Sequence, residues 1–274
     1  MSSTAASLLP PKPAVSRRRR WGWRLALLVL VGVLVFSWFD TGASIPALIN
    51  GLFAKNGLFS WAIPSSVPPA GGVLWQSVKA AVTTLAIAAL SIVLGGVLSL
   101  LVLPLSARNI APGRLVYELT RLILAVLRSI PELIMLLMFN VVMGFSPFSS
   151  VLALTLHGLG VKGKLFAEAV EEMDMTPVDA LHVAGAGRIQ TFLHAVLPGV
   201  RSTLTGLTLY RLDSNFRSAV TLGAVGGGGI GQLIDSSLQT YQFKQVTTYI
   251  IVLVVAVMLI ERLSTILRRQ LGQR

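Results

Sequence analysis

Apolar residues run through this chain in long blocks separated by short polar stretches. The first block, Leu25–Phe39, follows four consecutive arginines, Arg17 to Arg20. Ala80–Leu103 holds no charged residue and is long enough, at about 1.5 Å rise per residue, to cross the hydrocarbon of a bilayer. Pro104 to Arg114 interrupts the pattern. The next block predicts one helix from about Leu115 to Gly144, with Glu118, Arg121 and Arg128 in its first half. Ser146-Pro147 turns the chain and a fourth helix begins near Phe148. A fifth runs from about Gly199 to Phe216, and a sixth from about Val246 to Leu267. The pattern as a whole predicts an all-α polytopic membrane protein with six transmembrane helices.

The segments between blocks have their own character. Residues 1–20 read as a disordered basic tail, 21–40 as the first transmembrane helix, and 41–74 as an external loop containing Pro64, Pro68, Pro69, Gly71 and Gly72. The arginine run before an apolar stretch also resembles the start of a signal peptide, with Thr41–Ala43 as its cleavage site. Trp21, Trp23 and Trp38, as interface anchors on both sides, favour a retained span. Residues 162–198 hold five of the eleven acids, Glu168, Glu171, Glu172, Asp174 and Asp179, and read as a solvent-facing insertion. Within it Thr176 is placed to cap a short helix, with Pro177 in its first turn and Asp179 three residues on, as in a capping box. Gly185 is its expected left-handed terminator. A second short helix is expected from about Arg188 to Leu197, stopped by Pro198.

Composition changes the picture in two ways. Charged residues are 12% of the chain, against about 25% in soluble domains, and hydrophobic residues are 54%, so the chain is a membrane protein. There are no cysteines, which excludes disulfides and thiolate chemistry. HExxH and GxSxG are also missing, so an intramembrane enzyme has no chemistry to use. The net charge is +12. Its distribution argues against nucleic acid: sixteen of the 23 Lys and Arg, Lys162 and Lys164 among them, fall in the segments that a six-span topology puts on the side of the N-terminus, and four on the other. This asymmetry predicts that both termini and the acidic insertion are cytoplasmic. The three histidines, His157, His182 and His194, show no ligand spacing with acids. Gly158 to Leu165 approaches a P-loop but ends in Leu165, which cannot hold Mg²⁺. Gly226 to Gly231 fits G-x-G-x-x-G without a surrounding βαβ unit. Neither stretch is therefore a nucleotide site.

Two clusters carry candidate function. Arg211, Asp213, Asn215 and Arg217 lie in or just beyond the fifth helix. Arg211 is about 20 Å along it from Pro198, at a depth where a charge costs roughly 2.5–3.5 kcal/mol. Asp213 and Arg217, four apart, can pair on one face. Two readings stand side by side: a neutralising pair, or a cationic lining suited to an oxyanion. The second cluster is Gly226, Gly227, Gly228 and Gly229. Four glycines break a helix, and irregular backbone at membrane depth is tolerated only where it lines a cavity or is buried in protein. They predict a broken, flexible segment at a pore, with an outer turn as the alternative.

Asp179-Ala180-Leu181, Gly185 and Leu197-Pro198 resemble the EAA loop of ABC-importer permeases: Glu-Ala-Ala, three residues, Gly, nine residues, then Ile-x-Leu-Pro. The spacing matches, while Asp179 replaces Glu, Leu181 the second Ala, and Ala195 the Ile. The stretch YRLDSNFRSAVTLGAVGGGGIG, Tyr210 to Gly231, is similar to the signature of phosphonate-importer permeases, the PhnE family. So are RSIPE, Arg128 to Glu132, and GFSPFSSVLAL, Gly144 to Leu154. The resemblance covers roughly residues 75–268. It implies a type I ABC-importer transmembrane domain there, with a coupling loop over 176–198 in which Asp179, Ala180, Gly185 and Pro198 serve ATPase docking. It also implies a homodimer in the plasma membrane, a docked ATPase dimer that carries ATP and Mg²⁺, no cofactor on this chain, and an external solute-binding protein. The implied cargo is phosphonate, phosphite or inorganic phosphate, moved by alternating access. The rival is an ATP-independent channel or carrier, which would not need an EAA-type loop.

Overall fold

The computed structural model describes residues 17–40, 42, 44–53 and 71–272. The chain divides into two compact units between Ser60 and Trp61. The first contains α1 (Arg17–Asp40) and α2 (Ile45–Phe53), the latter started by Ser44, whose Oγ accepts the Ala47 N–H at 3.2 Å. The predicted tail is therefore shorter than expected, since Arg17 to Arg20 already belong to α1; its residues 1–16 lie outside the described residues, as do residues 54–70 of the predicted loop.

The second unit is a helical bundle: α3 (Gly71–Ser106), α4 (Arg114–Ser129), α5 (Glu132–Met143), α6 (Pro147–Glu171), α7 (Thr176–Val183), α8 (Arg188–Thr191), α9 (Leu197–Leu222), α10 (Gly229–Gln239) and α11 (Phe243–Gly272). No strand occurs among the described residues. By length and composition α3 and α11 can each cross a membrane, and α4 with α5 makes a third crossing if the bent pair is one span. The apolar part of α1, Trp21–Ser37, is shorter than a span of that kind. α6 and α9 have 25 and 26 residues, ample length, but carry charges.

Three expectations need correction. The helix expected over 115–144 is two helices bent by 87°. Pro131 has no N–H to donate and forces Ile130 out of the helical region, to φ −81°, ψ 119°. Next, residues 162–171 are not part of a solvent-facing insertion. They continue α6, where Lys162, Phe166, Ala167 and Val170 are buried. Charge count favoured an aqueous setting, but one face of this helix packs on α3 and the acids lie off it. Finally, Pro198 does not stop α8. Helical backbone runs on through a π-turn, Phe192–Val196, into α9, and Pro198 sits in the first turn of α9. The wider turn lets the Leu197 N–H reach the Phe192 carbonyl and removes the ring's clash with the preceding turn.

Small residues set the close approaches. A Cβ at Gly160 would lie 2.5 Å from the Arg128 nitrogen, and one at Gly163 would lie 2.8 Å from Leu124 Cδ2. These two glycines are what let α4 lie against α6. Ser146 accepts the Ser149 N–H and caps α6, with Pro147 in its first turn. One apolar core, with Leu103, Phe166, Val170, Val178, Val196 and Val200, joins the α7–α8 hairpin to α3, α6 and α9. A second, with Ile87, Leu136, Leu154 and Leu222, holds the opposite half of the bundle.

Candidate functional site

α9 positions most of the predicted charges. Its 26 residues span about 39 Å from the α7–α8 hairpin to the glycine run. Asp213 Oδ2 pairs with Arg217 one turn on, as the i,i+4 spacing predicted. The two line an open hollow of ≈ 390 Å³ with Tyr210, Ser214, Ser218 and Thr221. Two atoms in this region are buried without a hydrogen-bond partner, Asp213 Oδ1 and Arg211 Nε. Asn215 is elsewhere. It is 2% exposed and donates to Ser91 Oγ of α3 at 3.0 Å, so it ties two helices and does not face the hollow.

Sequence reasoning missed three residues. Glu132, directly after the break at Pro131, accepts from Ser218 Oγ at 2.6 Å and meets His157 Nε2 at 3.3 Å. His157 Nδ1 lies 3.1 Å from the Ile130 carbonyl, so one imidazole bridges both sides of the α4–α5 break. Glu132 also lies within electrostatic reach of Arg211. The third is Lys162, wholly buried, donating to the Ile92 carbonyl of α3 at 2.9 Å. Glu132 was visible inside RSIPE, but its partners are 25 and 86 residues away and leave no local signal. Together these side chains form a polar layer across α3, α5, α6 and α9.

The glycine run breaks the helix as expected, between α9 and α10. Gly226 and Gly228 have φ of +90° and +85°, values that side chains disfavour. The break is not loose, however. Asn140 donates to the Val225 carbonyl, Ser150 Oγ donates to the Gly227 carbonyl at 2.9 Å, and Thr84 Oγ accepts the Ile230 N–H at 2.9 Å. A side chain at Gly226 would overlap Phe145, and one at Gly229 would overlap Thr84. The glycines let three helices close on the break, which corrects the expectation of a flexible segment.

At the other end, α7 presents Asp179, Ala180 and Val183 outward and buries Val178. The cap is not the expected one. Asp174 Oδ1 accepts both the Thr176 N–H, at 3.0 Å, and its hydroxyl, at 2.7 Å. The backbone N–H first, then the hydroxyl, hold the Asp174 carboxyl below its ordinary range. Gly185 has φ +80°, and the Ala186 N–H returns to the Leu181 carbonyl at 2.9 Å, closing α7. Glu171 accepts from Arg121 and from the Arg108 N–H, both at 2.8 Å, tying the C-terminal ends of α3 and α6 to the middle of α4. Among the described residues there is no group of acids and histidines able to hold a metal.

Residues 101–274 match the family of binding-protein-dependent transport system inner membrane components. The chain is 38% identical over 237 residues to the phosphite transport system permease protein PtxC of Stutzerimonas stutzeri, covering 86% of this chain and 85% of that one. It is 36% identical over 255 residues to the phosphate-import permease protein PhnE of Mycolicibacterium smegmatis, covering 90% of this chain and 47% of that one. Its fold matches a chain of the inward-facing MetNI methionine ABC transporter, with a TM-score of 0.62 at 23% identity, over 74% of this chain and 99% of that one. An all-α bundle, a family match over most of its length and these relatives give one answer: the chain belongs to the binding-protein-dependent transport system inner membrane components, as the permease subunit of an ABC importer and not an enzyme.

Proposed function

We propose that this permease moves a phosphorus oxyanion, phosphonate, phosphite or inorganic phosphate, across the plasma membrane by alternating access. The observation that carries the reading is the hollow on α9. There Arg217, paired with Asp213, presents its guanidinium, and Tyr210 and Ser214 supply hydroxyls. Guanidinium donors and hydroxyls match the acceptor oxygens of a tetrahedral anion. The names of the phosphite and phosphate permeases above point the same way.

All six residues lining the hollow belong to α9. The facing wall then comes from a second copy of the chain, which makes the permease a homodimer with the anion path along its axis. An ATPase dimer, carrying ATP and Mg²⁺, docks on residues 176–190 through Asp179, Ala180 and Gly185, with Pro198 setting the turn into α9. An external solute-binding protein delivers the anion on the opposite side. ATP drives the cycle only through its differential affinity for the two states. Asp213 and Arg217 are pathway residues in this reading, and Gly226 to Gly229 form the packed junction between α9 and α10 beside that pathway. The test is uptake of labelled phosphite, methylphosphonate and inorganic phosphate by vesicles holding permease, ATPase and binding protein. The double substitution Asp213→Asn with Arg217→Gln should lower uptake at least tenfold with normal assembly. Parental uptake by the double variant would reduce the pair to mutual neutralisation.

A further inference from the structure

His157 of α6 is engaged at both ring nitrogens. Nδ1 lies 3.1 Å from the Ile130 carbonyl at the α4–α5 break, and Nε2 lies 3.3 Å from Glu132 Oε2. Glu132 takes the Ser218 hydroxyl on its other oxygen, Oε1, at 2.6 Å, and Ser218 lines the α9 hollow. The contacts therefore run without a gap from the break to the hollow wall. Leu156, Leu133 and Ala219, next in sequence to the three side chains, pack in one apolar core. His157 and Glu132 are accordingly withdrawn from solvent, at 16% and 32% side-chain exposure.

Donor bookkeeping fixes what the pair holds. A carbonyl only accepts, so Nδ1 carries a hydrogen and donates it. A neutral ring would then turn the Nε2 lone pair toward a carboxylate oxygen, which is repulsive. A proton between Nε2 and Glu132 makes the same contact attractive. Capping the Ile130 carbonyl needs one donor and leaves the acid at the other nitrogen unexplained. Among the described residues no other charge on the packed elements forms an ion pair with either group. Arg128 of α4 is exposed, Lys162 of α6 donates to the Ile92 carbonyl in space that Gly95 leaves open, Arg217 of α9 pairs with Asp213, and Arg211 of α9 forms no ion pair.

We infer that His157 and Glu132 share one proton and act together as positioning residues for transport. The protonated pair fixes the Ser218 hydroxyl in the hollow wall and holds α9 to the α4–α5 break. As pH rises and the proton leaves, the Nε2 lone pair repels the carboxylate, Glu132 and Ser218 come free, and uptake falls. Neither residue touches the anion. The inference rests on the hollow being the anion path.

The test compares the parent, Glu132→Ala and Glu132→Gln in the complete transporter with ATPase and binding protein. Phosphite and inorganic phosphate uptake and the thermal midpoint are followed from about pH 6 to about pH 9. A glutamine amide donates to a neutral Nε2 and its carbonyl still accepts from Ser218, so it replaces the shared proton with one that does not titrate. Glu132→Ala should lower uptake at least tenfold, and Glu132→Gln should restore it to within about threefold of parental at about pH 6. The ratio of Glu132→Gln to parental uptake should then rise at least threefold toward about pH 9, a comparison in which the titration of the anion and of the other subunits cancels. A ratio that stays flat overturns the inference, as does parental uptake by Glu132→Ala. If Glu132→Gln does not assemble, His157→Gln reads the same proton: its uptake must lose the alkaline fall of the parent, and keeping that fall overturns the inference. A parent that moves neither anion overturns the substrate reading. The pair is then decided by the midpoints alone, which should drop at alkaline pH in the parent and not in the glutamine variant; midpoints that fall in step overturn the shared proton.

Discussion

A methyl group added at Gly227 would overlap the Ser150 hydroxyl and lie 2.7 Å from the Leu222 carbonyl. The same methyl at Gly206, in the middle of α9, would meet nothing within 4 Å. The pair separates two reasons for a glycine. Gly227→Ala should destabilise the permease by about 1–3 kcal/mol, the usual cost of overpacking. Gly206→Ala should be neutral or stabilising by up to about 1 kcal/mol, since Ala is the better helix former. Thermal midpoints of the two purified complexes check this; equal midpoints would show that the break relaxes freely. The chain itself showed that four glycines interrupt a helix. It did not show that Phe145, Ser150 and Thr84 press on them, because those residues come from the turn before α6, from α6 and from α3.

Among the elements, the α7–α8 hairpin is where local reading and structure agree best on the turn and least on the caps. Gly185 at φ +80° has nothing within 4 Å of its absent Cβ, so a side chain there strains only the backbone, by about 1–2 kcal/mol. Val183 and Ile189 stand 90% and 76% exposed beside it, an apolar face with no cover in one chain. Gly185→Asp adds strain and a charge close to Asp179. The permease should reach the membrane at normal levels, co-purify poorly with its ATPase and support no uptake. Full ATPase recovery with intact stimulated hydrolysis would make the hairpin a connector. The cap was misread because Thr176 and Asp174 compete for the same role. Spacing favoured Thr176, whereas a carboxylate two residues before the helix begins reaches both the N–H and the hydroxyl.

For the whole molecule, α9 puts the α7–α8 hairpin and the α10–α11 turn at opposite ends of about 39 Å of helix. Charge asymmetry predicts a cytoplasmic hairpin, and the burial of Lys162 removes only one of the sixteen cations behind that prediction. Because the chain has no cysteine, single introduced ones report cleanly. On intact cells, Thr240→Cys should react with a membrane-impermeant thiol reagent and Ala184→Cys only after permeabilisation. The reverse pattern would invert the topology and move the proposed ATPase dock to the wrong side.

Sequence by itself determined the helical class, most helix starts and the left-handed turn at Gly185, because apolar runs, prolines and glycines act on backbone within a few residues. It also placed Asp213 beside Arg217, a pairing that one helical turn dictates. Only the tertiary structure decided that α4 and α5 meet at 87°, that Glu132 joins His157 and Ser218, that Asn215 is spent on Ser91, and that Lys162 is sealed inside. Each of these depends on which faces of separate helices meet. Asn215 and Ser91 are 124 residues apart, and no periodicity along one helix specifies the face of another. A lysine after an apolar run reads as a span's end until the glycines of a neighbouring helix make room for it.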